Sequence, residues 1–467
     1  MAIENTRYAK EGRLGEWLRT AQRLHFIGIC GAGMRTLAAL CQRRGYLVTG
    51  SDDDTRGEGA LALGLLGVPV TPPSRDSGII DADIAVYSIA VGKNHPELLV
   101  ARERGIPTVS RADLLGALME EYRERIGVAG THGKSTVTAM TATVLAALGQ
   151  DPTVVAGAAI NPRGDGFRAG GRGHLVFEAC EYFDSFLSTS PTVAVLTNAE
   201  WDHPDYFRDE AAALASFRAY LTLPSVRLAV LSADDGGARR LATEIGVPYV
   251  TFGLAGGADV TARALALSDG GSRFLLAVLG EEVGEVTLSV PGRHNVQNAL
   301  AAAAAAMAVG AVPGEIAGAL STFRGIARRT EYRGSLYGVS YFEDYAHHPT
   351  AIRAAAEALR GEEGRLILVY QPHTFSRTAG FFSEMAAALG VADLPILVDT
   401  YSARETGEGE DPIRLLAKAS GGVAIGTPEC AALYVRAHAR PGDRVVVMGA
   451  GDLGPRFFVG ELSFTGD

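Results

Sequence analysis

The stretch Gly127-Val128-Ala129-Gly130-Thr131-His132-Gly133-Lys134-Ser135-Thr136 constrains the fold of this chain more than any other. An apolar, β-branched lead-in runs into a glycine turn, then Lys-Ser, then a helix-forming apolar segment from Val137 to Leu148. Strand, tight turn and helix in that order make the half-unit of a parallel α/β sheet. The same order suits a triphosphate. Glycines let backbone N–H groups approach phosphate oxygens, Lys134 reaches the β/γ oxygens, and the Ser135 hydroxyl can ligate Mg²⁺. The spacing is the short G-x-x-G-K-[ST] form, because Val128 stands where the longer pattern has its first glycine. A glycine turn before a helix with a solvent-facing lysine shares the local pattern. On this motif the chain is read as binding ATP or a relative.

The rest of the chain fits that frame. Its 467 residues leave room for two to four domains, and 57 glycines fit a glycine-turned α/β protein. A net charge of −10 without any basic run argues against a nucleic-acid surface. The longest apolar stretches, such as Ala299 to Val309, are too short to span a bilayer. Met1 to Asn5 shows no basic and apolar secretory pattern. Cys30, Cys41, Cys180 and Cys430 have neither C-x-x-C pairing nor zinc spacing, so they read as reduced thiols. The expectation is a cytoplasmic protein, with no membrane insertion.

Strand-like and helix-like runs alternate. Strands are expected at 24–29, 46–50, 84–88, 193–196, 365–370, 394–398 and 444–448, with helices at about 31–44 and 295–309. Residues 259–288 read as an antiparallel ribbon of two alternating runs around Gly270-Gly271. The charged run Glu120 to Arg125 and the restart around Arg328 mark domain joints. The first twenty residues read as an extension, a candidate tail helix.

Two further regions carry candidate chemistry. Gly28 and Gly33 have G-x-G-x-x-G spacing, but Cys30 occupies the middle position, and Asp52 lies where a ribose-binding acid would sit. That leaves a nicotinamide-dependent oxidoreductase open, as well as a plain strand–helix turn. Cys30 and the separate ATP loop count against the dinucleotide. A UDP pyrophosphate on the same helix start uses the same physics. Downstream of the ATP loop, Glu178 and the Thr197-to-His203 cluster each follow an apolar strand. Oxygen ligands from Ser135 and Glu178, with His203 nearby, suit Mg²⁺ better than zinc.

The chain resembles the Mur ligases, the amino-acid-adding enzymes of peptidoglycan synthesis, over roughly Leu24 to Gly454. The resemblance is carried by His25 to Met34, Tyr87 to Ala90 with Asn94 to Leu98, Ser110 to Asp113, and Gly130 to Thr136. It continues through Gly292 to Ala299, Asp344 to Thr350 and Gln371 to Thr378. It implies three α/β domains: a Rossmann-like UDP-sugar domain (1–124), a P-loop ATPase-like central domain (125–328) and a Rossmann-like amino-acid domain (329–467), with ATP between the second and third. It implies UDP-N-acetylmuramate, L-alanine and ATP as small-molecule substrates, Mg²⁺ as cofactor, and a monomer or homodimer.

The roles follow by resemblance. Gly28, Gly31, Ala32, Gly33, Met34, Asp52, Ser88, Asn94 and Arg111 would hold the UDP-sugar. Gly130, Thr131, His132, Gly133, Lys134, Ser135 and Thr136 would hold the ATP phosphates, with His294, Asn295, Asn298, Arg328 and Asp344 around the nucleoside. Ser135, Glu178 and His203 would bind metal. Tyr345, His347, His348, His373 and Arg377 would shape the amino-acid pocket, with Lys134, Glu178, His203, His348 and Arg377 as the catalytic set. Departures are Cys30 for a glycine, Ser135 for the commoner threonine, Cys180 for an acid, and Trp201 before Asp202-His203. Cys30 fits its loop only if its φ is negative. Two further readings keep part of this picture: a ligase adding murein tripeptide to the same sugar nucleotide, and an inactive nucleotide-binding partner.

Overall fold

The computed structural model describes residues 13–75, 77–89, 91–158, 160, 166–403, 405 and 412–458. Residues 1–12 of the expected extension, Ala90 and Arg404 lie outside the described residues, whereas Arg13–Thr20 is a helix. The chain divides into two compact units.

The first unit comprises 1–199, 214–252 and 301–319. It contains a five-stranded parallel sheet in the spatial order Val70–Thr71, Leu47–Ser51, Arg23–Ile27, Ile84–Tyr87, Thr108–Ser110. Reversal of strand order on either side of Arg23–Ile27 leaves a crevice at the carboxyl ends, where α/β proteins bind ligands. A second set of strands runs Tyr249–Phe252, Leu228–Ser232, Val193–Leu196, Glu124–Ala129, His174–Glu178, Thr153–Val155, all parallel, with Phe167–Arg168 antiparallel at the edge. Its central strands are apolar on both faces because helices cover both, as in Val193–Leu196, where all four residues are buried. Phe177, Phe186, Phe217 and Tyr220 fill the core, and each such side chain contributes roughly 1.5–3 kcal/mol by burial.

The second unit comprises 200–213, 253–300 and 320–467. Its main sheet has the order Glu331–Leu336, Val339–Asp344, Arg444–Met448, Leu366–Tyr370, Leu394–Val398, Val423–Gly426, parallel except for the first strand. The stretch read as a two-run ribbon has three antiparallel strands, Val260–Ser268, Gly271–Val278 and Glu281–Leu288. The second turn, Leu279-Gly280, has positive φ at both residues (49° and 90°). A leucine there carries no turn signal, so the sequence pattern hides the third strand. The Ala-rich helix runs Arg293–Met307, two residues ahead of its expected bounds.

Candidate active site

In the first unit, Glu124–Ala129 delivers the chain into the turn Gly130–Gly133, and the helix Lys134–Ala147 leaves it. Gly130 (φ +134°) and Gly133 (φ +82°) both adopt conformations that side chains resist, so the two glycines are required by the turn itself. A Cβ on Gly130 would lie 2.0 Å from Thr197 Oγ1 and 3.0 Å from the Asn198 carbonyl. Asn198, at the end of the neighbouring strand, grips His132 twice: Oδ1 accepts its N–H (2.8 Å) and Nδ2 donates to its carbonyl (3.1 Å). The helix start has no side-chain cap, which leaves its N–H groups for an anion. Gly130→Ala is therefore expected to raise KM for ATP at least roughly tenfold and to cost about 2 kcal/mol of stability, from strain and overpacking together. Nucleotide titration and thermal melts check this; a variant with wild-type values for both would mean the loop tolerates a side chain.

Lys134 Nζ lies 2.9 and 3.0 Å from the two oxygens of Glu181 and also donates to the Gly130 and Thr131 carbonyls. Burial opposes the charge on Lys134, but Glu181, then Cys180 and Glu178, outweigh it and raise its pKa. Glu178 is the last residue of its strand and pairs in register with Val128, two residues before the loop. Its Oε1 accepts the Gly157 N–H at 2.8 Å. Ser135 is buried in the first turn of the helix. Burial first, then Glu181, pushes the Cys180 thiol pKa up, so this departure places a neutral thiol where the familiar pattern has an acid.

The sugar-nucleotide loop lies in the same unit. Gly28 (φ +77°) turns the chain, and the N–H groups of Gly28 and Ile29 donate to the Ser51 carbonyl. Cys30 is not among the left-handed residues, which meets the condition its side chain imposes. Both Asp52 oxygens serve this region, accepting the N–H groups of Cys30 (2.9 Å) and Asp54 (3.2 Å). The helix Ala32–Arg43 starts at Gly31 without a side-chain cap. Met34, expected to hold the sugar nucleotide, is buried in the hydrophobic core. Arg111 lies flat over Gly33, its Nη1 3.3 Å from where a Cβ would sit, and makes no hydrogen bond or ion pair among the described residues. It is a cation beside a bare helix start. Ser88 donates its N–H to Ile27, and Asn94 is exposed in the turn before Pro96–Arg104.

In the second unit, residues 175 positions apart meet. Arg377 Nε and Nη2 bind Asp202 Oδ1 (2.9 Å) and Oδ2 (3.3 Å), with both side chains 5–6% exposed. Arg377 Nη1 donates to His373 Nδ1 (3.0 Å), and Nη2 lies 3.5 Å from His203 Nδ1. The fork expected to meet a substrate thus has Asp202 as its first partner in this structure. Burial alone would raise the Asp202 pKa; Arg377, then His203 and His347, hold it well below the carboxylate range. Burial, then Arg377, lowers His373 to about 4 and also takes His347 well below its ordinary value, so both rings are neutral at pH 7. His347 Nδ1 faces the Tyr345 carbonyl at 3.0 Å and must donate to it, which leaves Nε2 as an acceptor. His348 caps the helix Pro349–Leu359, its Nδ1 accepting from Thr350, with Nε2 3.3 Å from the Trp201 carbonyl. Trp201 itself packs on Phe381, which explains an aromatic residue there as packing. Thr374 (φ +71°, ψ 144°) is strained at the start of the Arg377 helix.

Nearby in that unit, Tyr345 lies between two guanidinium groups, Arg328 at 5.0 Å and Arg329 at 4.9 Å from its ring centre. Arg328 is committed to Glu343 (3.0 Å) and to the Gly449 and Gly451 carbonyls. The Arg329 side chain makes no hydrogen bond or ion pair among the described residues. Asp344 uses its carboxylate on the Thr330 and Ala346 N–H groups. Asn295 donates to Pro291 and accepts from Asn298, fixing the start of its helix. Burial lowers the His294 pKa, Asp344 opposing and Arg329 reinforcing. The expected site set does not contain Asn198, Glu181, Asp202 or Arg329; read singly, Glu181 and Asp202 are ordinary strand-end acids. Each follows a strand end or a motif residue, but its partner lies far along the chain.

Phosphate turn, sugar-nucleotide-like loop and buried histidine–arginine cluster define a nucleotide-using α/β enzyme. Three family models match: the Mur ligase family catalytic domain at residues 23–123, the Mur ligase middle domain at 128–306, and the Mur ligase glutamate ligase domain at 328–451. The chain belongs to the Mur ligase family. It is 37% identical over 451 residues to the UDP-N-acetylmuramate–L-alanine ligase of Acetivibrio thermocellus, covering 94% of this chain and 95% of that protein. With the protein of the same name from Rubrobacter xylanophilus it shares 40% over 443 residues, 92% and 97% of the two chains. The crystal structure of UDP-N-acetylmuramate–alanine ligase from Thermotoga maritima superposes with a TM-score of 0.79 at 27% identity, covering 93% and 98%. A murein peptide ligase from Psychrobacter arcticus shares the fold, with a TM-score of 0.71 at 24% identity. Among the described residues, no helix is long and apolar enough to cross a membrane.

Proposed function

We propose that this chain joins L-alanine to the lactyl carboxylate of UDP-N-acetylmuramate at the expense of ATP, giving UDP-N-acetylmuramoyl-L-alanine, ADP and phosphate. The observation that carries this is 35–40% identity, over 92–94% of this chain, with ligases named for that reaction. The lactyl carboxylate attacks the γ-phosphorus, ADP leaves, and an acyl phosphate forms. The alanine nitrogen then attacks the acyl carbon, phosphate leaves, and the nitrogen gives up a proton. Each step gathers negative charge on oxygen, so fixed cations and N–H groups stabilise the transition states.

The residues divide the work. The Gly130–Gly133 turn and the start of its helix cradle the phosphates, and Lys134 neutralises the γ-phosphoryl group as it transfers. Ser135 and Glu178 offer oxygen donors, the set that suits a hard divalent ion, and would hold Mg²⁺. Mg²⁺ bound with the triphosphate supplies additional charge neutralisation. Arg111, unpaired over Gly33, is matched to the UDP pyrophosphate on the capless helix start. The Arg329 side chain, over the Tyr345 ring and without an ion pair among the described residues, is a candidate cation for a nucleotide phosphate. Neutral His347 presents Nε2 as an acceptor for the alanine amine, while Asp202 and Arg377 hold its neighbours in place.

Three domains, with joints near Arg125 and Arg328, fit this division; the matched family segments run 23–123, 128–306 and 328–451, which supports the first joint and the start of the last domain. The murein-tripeptide reading has solved relatives at 24% and 28% identity, below the 37% and 40% of the alanine ligases, and the inactive-partner reading predicts damaged phosphate-site residues, whereas Lys134, Ser135 and Glu178 are intact. Cytoplasmic location is part of this reading. The test is phosphate release with UDP-N-acetylmuramate, ATP and Mg²⁺ against a panel of amino acids and murein tripeptide. L-alanine is expected to give the highest kcat/KM. Preference for the tripeptide, or no amide product with any acceptor, would sink the assignment.

A further inference from the structure

Within the phosphate turn, the charge of Lys134 is already engaged by a protein carboxylate. Its ammonium has three N–H donors, and Glu181 with the Gly130 and Thr131 carbonyls uses all of them. Two of those acceptors belong to the phosphate turn, so the lysine lies folded back across the loop it serves. The ion pair is shielded, with Lys134 16% and Glu181 5% exposed, and so is stronger than a surface pair.

Glu181 is held in that position by construction. Phe183 and Asp184, which follow it, both have φ +54°. Two consecutive non-glycine residues there cost about 1–3 kcal/mol each. The turn is secured by Ser185 Oγ, which donates to the Cys180 and Tyr182 carbonyls at 2.9 Å, by an Asp184–Ser216 hydrogen bond, and by Phe186 stacked on Tyr220 at 4.7 Å. Glu178, three residues earlier, instead accepts the Gly157 N–H and makes no ion pair with the lysine. The two glutamates of this segment therefore have separate tasks.

We propose that Glu181 is an internal competitor for Lys134, holding its ammonium when no γ-phosphate is present, yielding it to ATP, and reclaiming it after transfer so that ADP leaves faster. The proposal rests on the reading of ATP as phosphoryl donor. The triphosphate offers the lysine both β- and γ-oxygens and outbids one carboxylate. Loss of the γ-phosphoryl group removes one of those two partners, and the balance returns toward Glu181. Glu181 is thus a positioning residue that acts through Lys134 and discriminates between substrate and product nucleotide.

The experiment uses the full chain and measures ADP affinity by calorimetry alongside steady-state kinetics for Glu181→Gln and Glu181→Asp. In Glu181→Gln, ADP is expected to bind roughly fivefold or more tighter, the scale of one partly shielded ion pair, and kcat to fall while KM for UDP-N-acetylmuramate stays the same. Glu181→Asp, whose shorter carboxylate still pairs with the lysine, should fall between Gln and wild type. ADP affinity that is unchanged or weaker in Glu181→Gln overturns the proposal. If that variant does not fold, Glu181→Asp decides: tighter ADP supports it, unchanged or weaker ADP overturns it. The wild-type ligase assay is read separately, so failure to form amide would remove the proposed function without bearing on which variant binds ADP better.

Discussion

Lys134→Ala lowers turnover by roughly 10³-fold while UDP-N-acetylmuramate affinity stays within a factor of two or so. The first half follows from where charge develops. Phosphoryl transfer spreads charge over the γ-oxygens, and removing one preorganised cation there costs about 3–4 kcal/mol of transition-state stabilisation. The second half follows from the separation of the two anion sites along the chain. The sugar-nucleotide loop is built by Gly28 to Gly33, Asp52 and Arg111, none of which contacts Lys134 through a hydrogen bond or ion pair. The variant also leaves Glu181 as a buried carboxylate without its cation, so a loss of stability of about 3 kcal/mol accompanies the loss of activity. Binding of the sugar nucleotide by calorimetry, phosphate release and a thermal melt separate the three effects. Loss of sugar-nucleotide binding with normal melting would show that the division of labour is wrong.

What the sequence makes legible here is local. A glycine that must take positive φ, a hydroxyl one residue after a lysine, and an apolar run of strand length are short-range signals, and the phosphate turn consists of all three. Val193–Leu196, Leu394–Val398 and Arg444–Met448 are found at their expected bounds because parallel strands buried on both faces read as unbroken apolar runs. Pairings across long separations leave no such trace. Asn198 clamps a turn 66 residues earlier, Glu181 meets a lysine 47 residues away, and Asp202 meets an arginine 175 residues away. Asp202 is legible as a strand-end acid near a histidine. That it neutralises Arg377 is a property of the fold. Family resemblance placed Arg377, His347 and His373 in one pocket without showing that arginine and aspartate would spend their charge on each other.

Arg377→Lys is expected to behave as a near-null enzyme, and Asp202→Asn to be less stable still. The guanidinium makes two parallel hydrogen bonds to Asp202 and a third to His373, a planar arrangement that an ammonium cannot reproduce. Lysine keeps the charge beside Asp202 but releases His373, so a stability loss of about 2 kcal/mol is expected for Arg377→Lys. Asp202→Asn leaves the arginine buried without an anion, a loss of about 3–5 kcal/mol. The same cluster sets the acid limit of the wild-type fold. His373 titrates near 4 when folded, against about 6.5 unfolded, so the unfolded chain takes up its proton first as pH falls. Stability therefore declines on acidification between about pH 6.5 and 4. The Asp202 carboxylate, depressed in the fold, adds its own loss below about pH 4 as it protonates. Denaturant melts across pH for wild type, Arg377→Lys and Asp202→Asn read these contributions, and KM for L-alanine against kcat reads the pocket. An Arg377→Lys enzyme with wild-type melting, alanine KM and turnover would remove this pair from the active site altogether. A variant with wild-type melting but a raised alanine KM would instead give the guanidinium a direct contact with the amino-acid carboxylate, made when substrate draws one arm of the fork away from Asp202.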